Sequence, residues 1–151
     1  MKSNLKAPTP QNIILIGMPG VGKSTVGVLL AKALSRDFLD TDVYIQAKER
    51  RTLQEIIDQK GLRAFCQIEE RHLRSLKFRS SIIATGGSVV YYPGAMARLR
   101  SSGIVIHLDL ALAPLKKRLT NLPTRGVVMV PGQSLDQLFD ERLPLYRKYS
   151  H

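Results

Sequence analysis

The sequence has few of the features that would tie it to a membrane or to a disulfide framework. Its 151 residues include one cysteine, Cys66, which excludes an internal disulfide and a cysteine-rich zinc site. No apolar run approaches the roughly 18 residues of a membrane span. The N-terminus has no hydrophobic segment of the kind that a secretory signal needs. These absences predict a protein of the reducing cytoplasm with no membrane partner.

Acidic and aromatic residues are also scarce. Asp and Glu number 12 against 23 Lys and Arg, which gives a net charge of +11, and aromatic residues make up 6% of the chain with no tryptophan. Excess positive charge attracts polyanions. However, the sequence has no recognition helix and no basic stripe interleaved with aromatic residues. We therefore expect no nucleic-acid partner and look for a small anionic ligand.

Short apolar runs alternate with helical patterns along the chain. The runs read as buried strands at 13–16, 38–39, 82–84 and 104–108. Helical periods cover 23–34, 52–60, 62–76, 93–99, 115–119 and 135–149. The alternation predicts an α/β fold, a parallel β-sheet sandwiched by helices. We expect a flexible lead-in at 1–11 and a single domain at 12–151, with a lid segment near 119–133.

The strongest motif follows the first apolar run. Residues 17–25 read Gly-Met-Pro-Gly-Val-Gly-Lys-Ser-Thr and match the phosphate-loop pattern G-x-x-x-x-G-K-[ST]. Glycines let backbone N–H groups approach phosphate oxygens, and the helix that begins near Lys23 adds its positive dipole end. A chance glycine turn is the alternative. The context of strand and helix favours a nucleotide site formed by Gly20, Val21, Gly22, Lys23, Ser24 and Thr25.

Two carboxylates follow the second apolar run. Asp40 and Asp42 are two residues apart, and strand ends of a parallel sheet share the edge that holds the phosphate loop. One carboxylate is therefore expected to face Mg²⁺ and the other an acceptor hydroxyl. The alternative is that Asp42 only caps a helix starting near Val43. The position of the pair at a strand end favours the functional interpretation.

Together these features resemble the shikimate kinases, a family of the nucleoside-monophosphate-kinase-like P-loop class. The resemblance runs from Ile13 to Tyr149 and rests on the order and spacing of several motifs. These are the phosphate loop, Phe38-Leu39-Asp40-Thr41-Asp42, Phe65 with Ile68-Glu69-Glu70, Ala84-Thr85-Gly86-Gly87, the stretch around Arg125, and Arg142-Leu143-Pro144-Leu145-Tyr146. The resemblance implies transfer of the ATP γ-phosphate to the 3-hydroxyl of shikimate, an aromatic amino-acid precursor. We expect a monomer acting on a small molecule.

The resemblance also implies roles on the nucleotide side of the site. Lys23 would contact the β- and γ-phosphates, and Ser24 and Asp40 would hold the Mg²⁺ shell. Arg118 would lie near the nucleotide, and Arg125 would lie with the lid on the phosphates. A solvated loop position is the alternative for Arg125.

On the acceptor side, Asp42 would bind the substrate hydroxyls and orient or deprotonate the one that is attacked. Gly86 and Gly87 would offer backbone N–H groups to the substrate. Arg142 would pair with the substrate carboxylate, a bidentate geometry that arginine suits. The alternatives are a surface charge for Arg142 and a simple turn for the glycines. Glu69 and Glu70 read as structural residues.

The sequence departs from the family pattern at four places. Cys66 stands where the family has an arginine that binds the shikimate carboxylate. The family's run of three glycines is shortened to Gly86-Gly87-Ser88, so that either Ser88 occupies the third position or one residue is deleted. Gly126, not proline, follows Arg125. The family pattern continues beyond position 151, so we expect the C-terminal strand and helix to be missing. These departures leave two other hypotheses open: a kinase of another small hydroxy acid, and a nucleotide-binding protein with little catalysis.

Overall fold

Four short strands alternate with seven α-helices in the computed structural model, which describes residues 11–120 and 126–151. Most of the predicted lead-in, and positions 121–125 of the predicted lid, lie outside the described residues. The elements are β1 (Asn12–Ile16), α1 (Lys23–Leu34), β2 (Asp37–Asp40), α2 (Thr41–Glu49), α3 (Leu53–Lys60), α4 (Leu62–Ser75), β3 (Ser81–Ala84), α5 (Pro93–Ser102), β4 (Gly103–His107), α6 (Leu112–Arg118) and α7 (Leu135–Tyr149), with a 3₁₀ turn at Val89–Tyr91.

The strands form one parallel sheet in the order β2-β3-β1-β4. The predicted α/β fold is therefore confirmed. Ile14 of β1 pairs with Ile83 of β3 on one side and with Val105 of β4 on the other, and all three are fully buried. β4 lies at an edge, where Ile104 and Ile106 remain 46% and 38% exposed. Its apolar run therefore reflects a strand that is covered on one face only.

The main core fills the face of the sheet that carries Ile14, Ile16, Ile83 and Val105. Helices α4, α5 and α7 cover this face with Leu73, Leu76, Met96, Leu99, Leu138 and Tyr146, among others. The opposite face is covered less completely, by α1 through Ala31. Burial of this much apolar surface is the principal stabilising term of such a fold.

The sequence analysis gave no range for helix α2 (Thr41–Glu49). It gave ranges for the other α-helices of the described residues. It begins at Thr41, directly after β2, because the Asp40 carboxylate accepts hydrogen bonds from the first free backbone amides. Helices α2, α3 and α4 form a second, smaller core of Ile45, Leu53, Ile56, Phe65 and Ile68. This unit stands beside the sheet edge at which β1, β2 and β3 end.

None of the described helices has the length and apolar character to cross a membrane. The fold instead gathers polar segments at the carboxyl ends of its strands. Gly17 follows β1, Asp42 lies two residues beyond β2, and Thr85 follows β3. Ligands of open parallel sheets bind at this edge.

Candidate active site

The phosphate loop connects β1 to α1 and takes its shape from glycines. Gly20 and Gly22 have φ values of +75° and +106°, a region that other residues rarely adopt. A Cβ atom on Gly20 would also stand 2.7 Å from Cδ2 of Leu119. Of the predicted nucleotide residues, Gly20, Gly22, Lys23, Ser24 and Thr25 line one cavity. Val21 packs against the main core instead.

Lys23 is the buried cation of the loop. Its Nζ donates to the carbonyl oxygens of Gly17 and Met18 at 2.8 and 2.9 Å. Burial lowers the pKa of Lys23 to about 8, and the nearby carboxylates of Asp42 and Asp40 oppose this shift. The ammonium is therefore held in the loop with little water around it, which strengthens its attraction for phosphate.

Asp40 joins the phosphate loop to helix α2. Its Oδ2 accepts from Ser24 Oγ at 2.5 Å, and its Oδ1 accepts from the amides of Asp42 and Val43 at 2.9 and 3.3 Å. The helix cap is thus Asp40, and the alternative that Asp42 caps the helix is wrong. A hydroxyl beside a carboxylate is an oxygen donor set that suits Mg²⁺. Among the described residues no cluster of three or more His, Cys, Asp or Glu could hold a metal ion.

Asp42 lies in the first turn of α2 and points into the cavity. Its Oδ1 and the Oε1 of Glu69 each lie 2.8 Å from the position that a Cβ on Gly86 would take, so the two carboxylates face each other across this glycine. Burial raises the pKa of Asp42 to about 7, and Glu69 and Asp40 contribute to the increase while Lys23 opposes it. A carboxylate tuned to this range can exchange a proton at neutral pH.

Glu69 is a cavity residue that the sequence analysis interpreted as structural. It is 1% exposed, and it accepts hydrogen bonds from Ser88 Oγ at 2.6 and 2.8 Å and from the Tyr92 hydroxyl at 2.7 Å. Burial raises its pKa above the ordinary range. The sequence carried a signal for this position, because Glu69 lies four residues after Phe65 and four before Leu73, on the apolar stripe of α4.

Gly86 and Gly87 line the cavity as expected, but the N–H of Gly86 is not available for a substrate in this structure. It donates to Thr41 Oγ1 at 3.1 Å. This differs from the role given to Gly86 from the sequence, and the reason is that α2 begins at Thr41, two residues earlier than the helix start expected near Val43. The carbonyl of Gly87 accepts from the Tyr146 hydroxyl at 2.6 Å, which fixes the turn against α7.

Arg142 is fully buried and belongs to the cavity wall, so the alternative of a surface charge is wrong. Its Nε donates to the Tyr91 hydroxyl at 3.0 Å, and its guanidinium lies 4.9 Å from the centre of that ring. Its Nη2 donates to the carbonyl of Val128. These contacts fix the plane of the guanidinium, while Nη1 lies 2.9 Å from where a Cβ on Gly87 would stand.

Arg118 and Arg125 are the two remaining residues that the sequence analysis placed on the nucleotide side. Arg118, at the end of α6, is exposed and donates weakly to the carbonyls of Gly20 and Val21 at 3.4 and 3.3 Å. It therefore lies beside the phosphate loop, and its place near a bound nucleotide stays a prediction. Arg125 lies outside the described residues.

These groups enclose a cavity of about 500 Å³ that has two kinds of wall. The polar part of the wall consists of the phosphate loop, Asp42, Glu69, Gly86, Gly87 and Arg142, and the apolar part includes Leu53, Phe65, Gly126, Val127 and Val128. Cations and carboxylates therefore meet in one cavity, and the side chains of Lys23, Glu69 and Arg142 are buried there. Such a site can bind a polyanion and an acidic, hydroxylated molecule side by side.

Known proteins are similar to this chain in sequence and in fold. The family model described as "Shikimate kinase" matches residues 19–151. The chain belongs to the shikimate kinase family. It is 36% identical to shikimate kinase 2 of Enterobacter sp. (strain 638) over 146 residues, 93% of this chain and 84% of the relative. It is 40% identical to the shikimate kinase of Synechococcus sp. (strain RCC307) over 139 residues, 89% of this chain and 71% of the relative.

A solved structure of the family has the same fold. The shikimate kinase of Acinetobacter baumannii in complex with shikimate superposes with a TM-score of 0.87 at 34% identity, over 95% of this chain and 82% of that chain. The resemblance inferred from the sequence motifs is thus confirmed. Cys66, the position at which the family resemblance implies an arginine, is half-buried in α4. Burial raises the pKa of this thiol, so it stays neutral.

The buried position of Asp42 predicts a pH-dependent stability. Its pKa is about 7 in the folded chain against 3.8 in a model peptide, so ionisation of Asp42 weakens the folded state increasingly as pH rises from about 4 to 7. Asp42→Asn removes this cost. We expect the free energy of unfolding of the variant to exceed that of the parent by about 1–3 kcal/mol at pH 8 and by much less at pH 5.

Urea unfolding at the two pH values measures this difference. Asp140→Asn is the matched control, because Asp140 is exposed on α7. A gap between Asp42→Asn and the parent that stays constant from pH 5 to pH 8 would contradict the burial argument.

Proposed function

We propose that this chain transfers the γ-phosphoryl group of ATP to the 3-hydroxyl of shikimate. The observation that carries the proposal is that the fully buried Arg142 and the half-buried Asp42 line the same cavity as the phosphate loop. An arginine can hold a carboxylate of the acceptor while a carboxylate receives its hydroxyl. Membership of the shikimate kinase family supports the same reaction.

On the nucleotide side, the backbone N–H groups of the phosphate loop and the Lys23 ammonium would bind the β- and γ-phosphates. Ser24 and Asp40 are the residues that would hold Mg²⁺, which supplies charge neutralisation to the phosphates when it is bound with ATP. Arg118 would lie on the nucleotide from the end of α6, and Arg125 is proposed to contact the phosphates.

On the acceptor side, Arg142 would bind the shikimate carboxylate, and Asp42 would accept a hydrogen bond from the 3-hydroxyl. As the hydroxyl oxygen forms a bond to the γ-phosphorus, the bond from that phosphorus to the β–γ bridging oxygen breaks and ADP leaves. The hydroxyl proton passes to Asp42. A pKa of about 7 makes Asp42 basic enough to accept this proton near neutral pH.

The working state we propose is a cytoplasmic monomer with a small-molecule substrate and no nucleic-acid or membrane partner. The catalytic groups described above all come from one chain, so the proposed reaction needs no second subunit. The excess of basic residues would then serve in part to attract two anionic substrates.

A kinase of another small hydroxy acid is the second candidate, and Cys66 is the observation that favours it. A neutral thiol cannot replace the carboxylate-binding arginine that family members carry at this position. The acceptor carboxylate would then rely on Arg142. A substrate with a smaller or differently placed acid group could use such a pocket as well as shikimate does.

Turnover in the presence and absence of shikimate tests the main proposal. We expect ADP release from ATP and Mg²⁺ to depend on shikimate, and Asp42→Asn to lose nearly all turnover while its ATP affinity stays close to that of the parent. A coupled ADP assay measures the first quantity and nucleotide titration the second. A chain that binds ATP but releases no shikimate-dependent ADP would contradict the assignment, and a screen of other hydroxy acids would then test the second candidate.

Position 66 offers a gain-of-function prediction. In Cys66→Arg, a guanidinium on α4 would add a charge-assisted hydrogen bond to the acceptor carboxylate, which contributes on the order of 1.5–3 kcal/mol. We therefore expect the KM for shikimate to fall about tenfold or more. Cys66→Ser is the control and should leave KM near the parent value. An unchanged or higher KM in Cys66→Arg would argue that the acceptor carboxylate does not lie near this position.

A further inference from the structure

A short segment that begins directly after the gap at 121–125 forms part of the cavity wall. Residues 126–129 are called here the covering segment. They follow α6 in the chain, and in space they run from α3, which Gly126 contacts, towards α7, which Val128 contacts. Gly126, Val127 and Val128 line the cavity. Val128 packs against the small core of α2, α3 and α4, whereas Val127 and Met129 pack against the main core. The covering segment therefore bridges the two cores and contributes to the wall of the cavity in which we propose the reaction occurs.

The end of the covering segment at α3 is fitted closely to that helix. Gly126 has φ of +63°, and a Cβ on it would stand 2.5 Å from Leu53 Cβ and 3.2 Å from the backbone nitrogen of Gln54. The backbone N–H of Gly126 donates to Oε1 of Gln54 at 3.2 Å. Gln54 is thus the side chain that holds the buried amide of Gly126.

The amide of Gln54 is itself oriented. Its Nε2 donates to Oδ1 of Asp58 at 2.8 Å, one helical turn further along α3. This bond turns Oε1 towards Gly126. At the other end of the covering segment, Arg142 donates to the carbonyl of Val128. The segment is therefore held from α3 by Gln54 and from α7 by the arginine proposed to bind the acceptor.

We propose that Gln54 is a positioning residue, which holds the covering segment over the cavity through the Gly126 amide and so keeps water from the transferring phosphoryl group. This inference rests on the proposed function, because it concerns the same cavity. Without the cover, a water oxygen could bond to the γ-phosphorus while the bond to the bridging oxygen of ADP breaks, which yields ADP and inorganic phosphate. Exclusion of water from a closed site suppresses such side reactions.

Gln54→Met tests the proposal, because methionine keeps the length of the side chain and loses both hydrogen bonds. We expect amide hydrogen exchange of residues 126–128 to become about three- to tenfold faster, the factor that one hydrogen bond of ordinary strength gives. The ratio of ATP hydrolysed to acceptor phosphorylated should rise by a similar factor, together with the KM of the acceptor.

Two further variants separate this role from a general loss of stability. Gln59→Met is the matched control, since Gln59 is exposed on the same helix and does not line the cavity. The pair Gln54→Glu with Asp58→Asn exchanges the acid and the amide at constant net charge, so that a carboxylate oxygen can accept from Gly126. We expect Gln59→Met to behave as the parent. The double variant Gln54→Glu/Asp58→Asn should recover most of the protection of residues 126–128 against hydrogen exchange. It should also bring the ratio of ATP hydrolysed to acceptor phosphorylated back towards the parent value.

Unchanged exchange of residues 126–128 in Gln54→Met would overturn the proposal. Faster exchange with an unchanged ratio of hydrolysis to transfer would also overturn it, because the contact would then not affect the access of water to the transferring phosphoryl group. If the parent shows no transfer to shikimate, the proposed function fails, while the exchange measurement still decides whether Gln54 holds the covering segment.

Discussion

The structure depends on the burial of opposite charges at one edge of a small sheet. Lys23, Asp42, Glu69 and Arg142 all line one cavity, and Lys23, Glu69 and Arg142 are buried. Each of these ions would be costly to bury alone, and each shifts the proton affinity of its neighbours. The fold meets this cost with hydrogen bonds: carbonyls for Lys23, hydroxyls for Glu69, and a phenol with a carbonyl for Arg142.

The local structure around this edge follows from a few residues. Asp40 begins α2 immediately after β2, and this early start turns Asp42 into the cavity and Thr41 towards Gly86. The phosphate loop ends in a left-handed Gly22 that starts α1 at Lys23. Ser24 then meets Asp40 across the loop. One carboxylate thus serves as helix cap and hydroxyl acceptor, and it sets the distance between the nucleotide side and the acceptor side.

Much of the fold and of the candidate site could be predicted from the sequence. The features that could be predicted have one physical reason in common. The phosphate loop, the parallel strands and the order of helices depend on local patterns: glycine spacing, short apolar runs and helical periods. Arg142 and the pair of Asp40 and Asp42 could be named because motif order carries them. What these residues touch was not predictable in the same way.

The unpredicted features are contacts between residues far apart in the chain. Glu69 is held by Ser88 and Tyr92, and Arg142 by Tyr91 and Val128, and no local pattern encodes these pairs. The extent of α2 was missed because the apolar spacing of its nine residues is weak and its start is set by the Asp40 cap. Only Glu69 carried a local signal that could have predicted its buried position, because it is a charged residue on the apolar stripe of a helix.

Binding of shikimate to the nucleotide-loaded chain tests most directly whether this buried charge cluster is an acceptor site. Calorimetric titration of shikimate into the chain saturated with Mg²⁺ and a non-hydrolysable ATP analogue should give one site per chain. In Arg142→Met the same titration should lose at least about tenfold in affinity, the loss expected for a charge-assisted hydrogen bond, with nucleotide affinity retained. A parent chain that binds the nucleotide and does not bind shikimate would contradict the account.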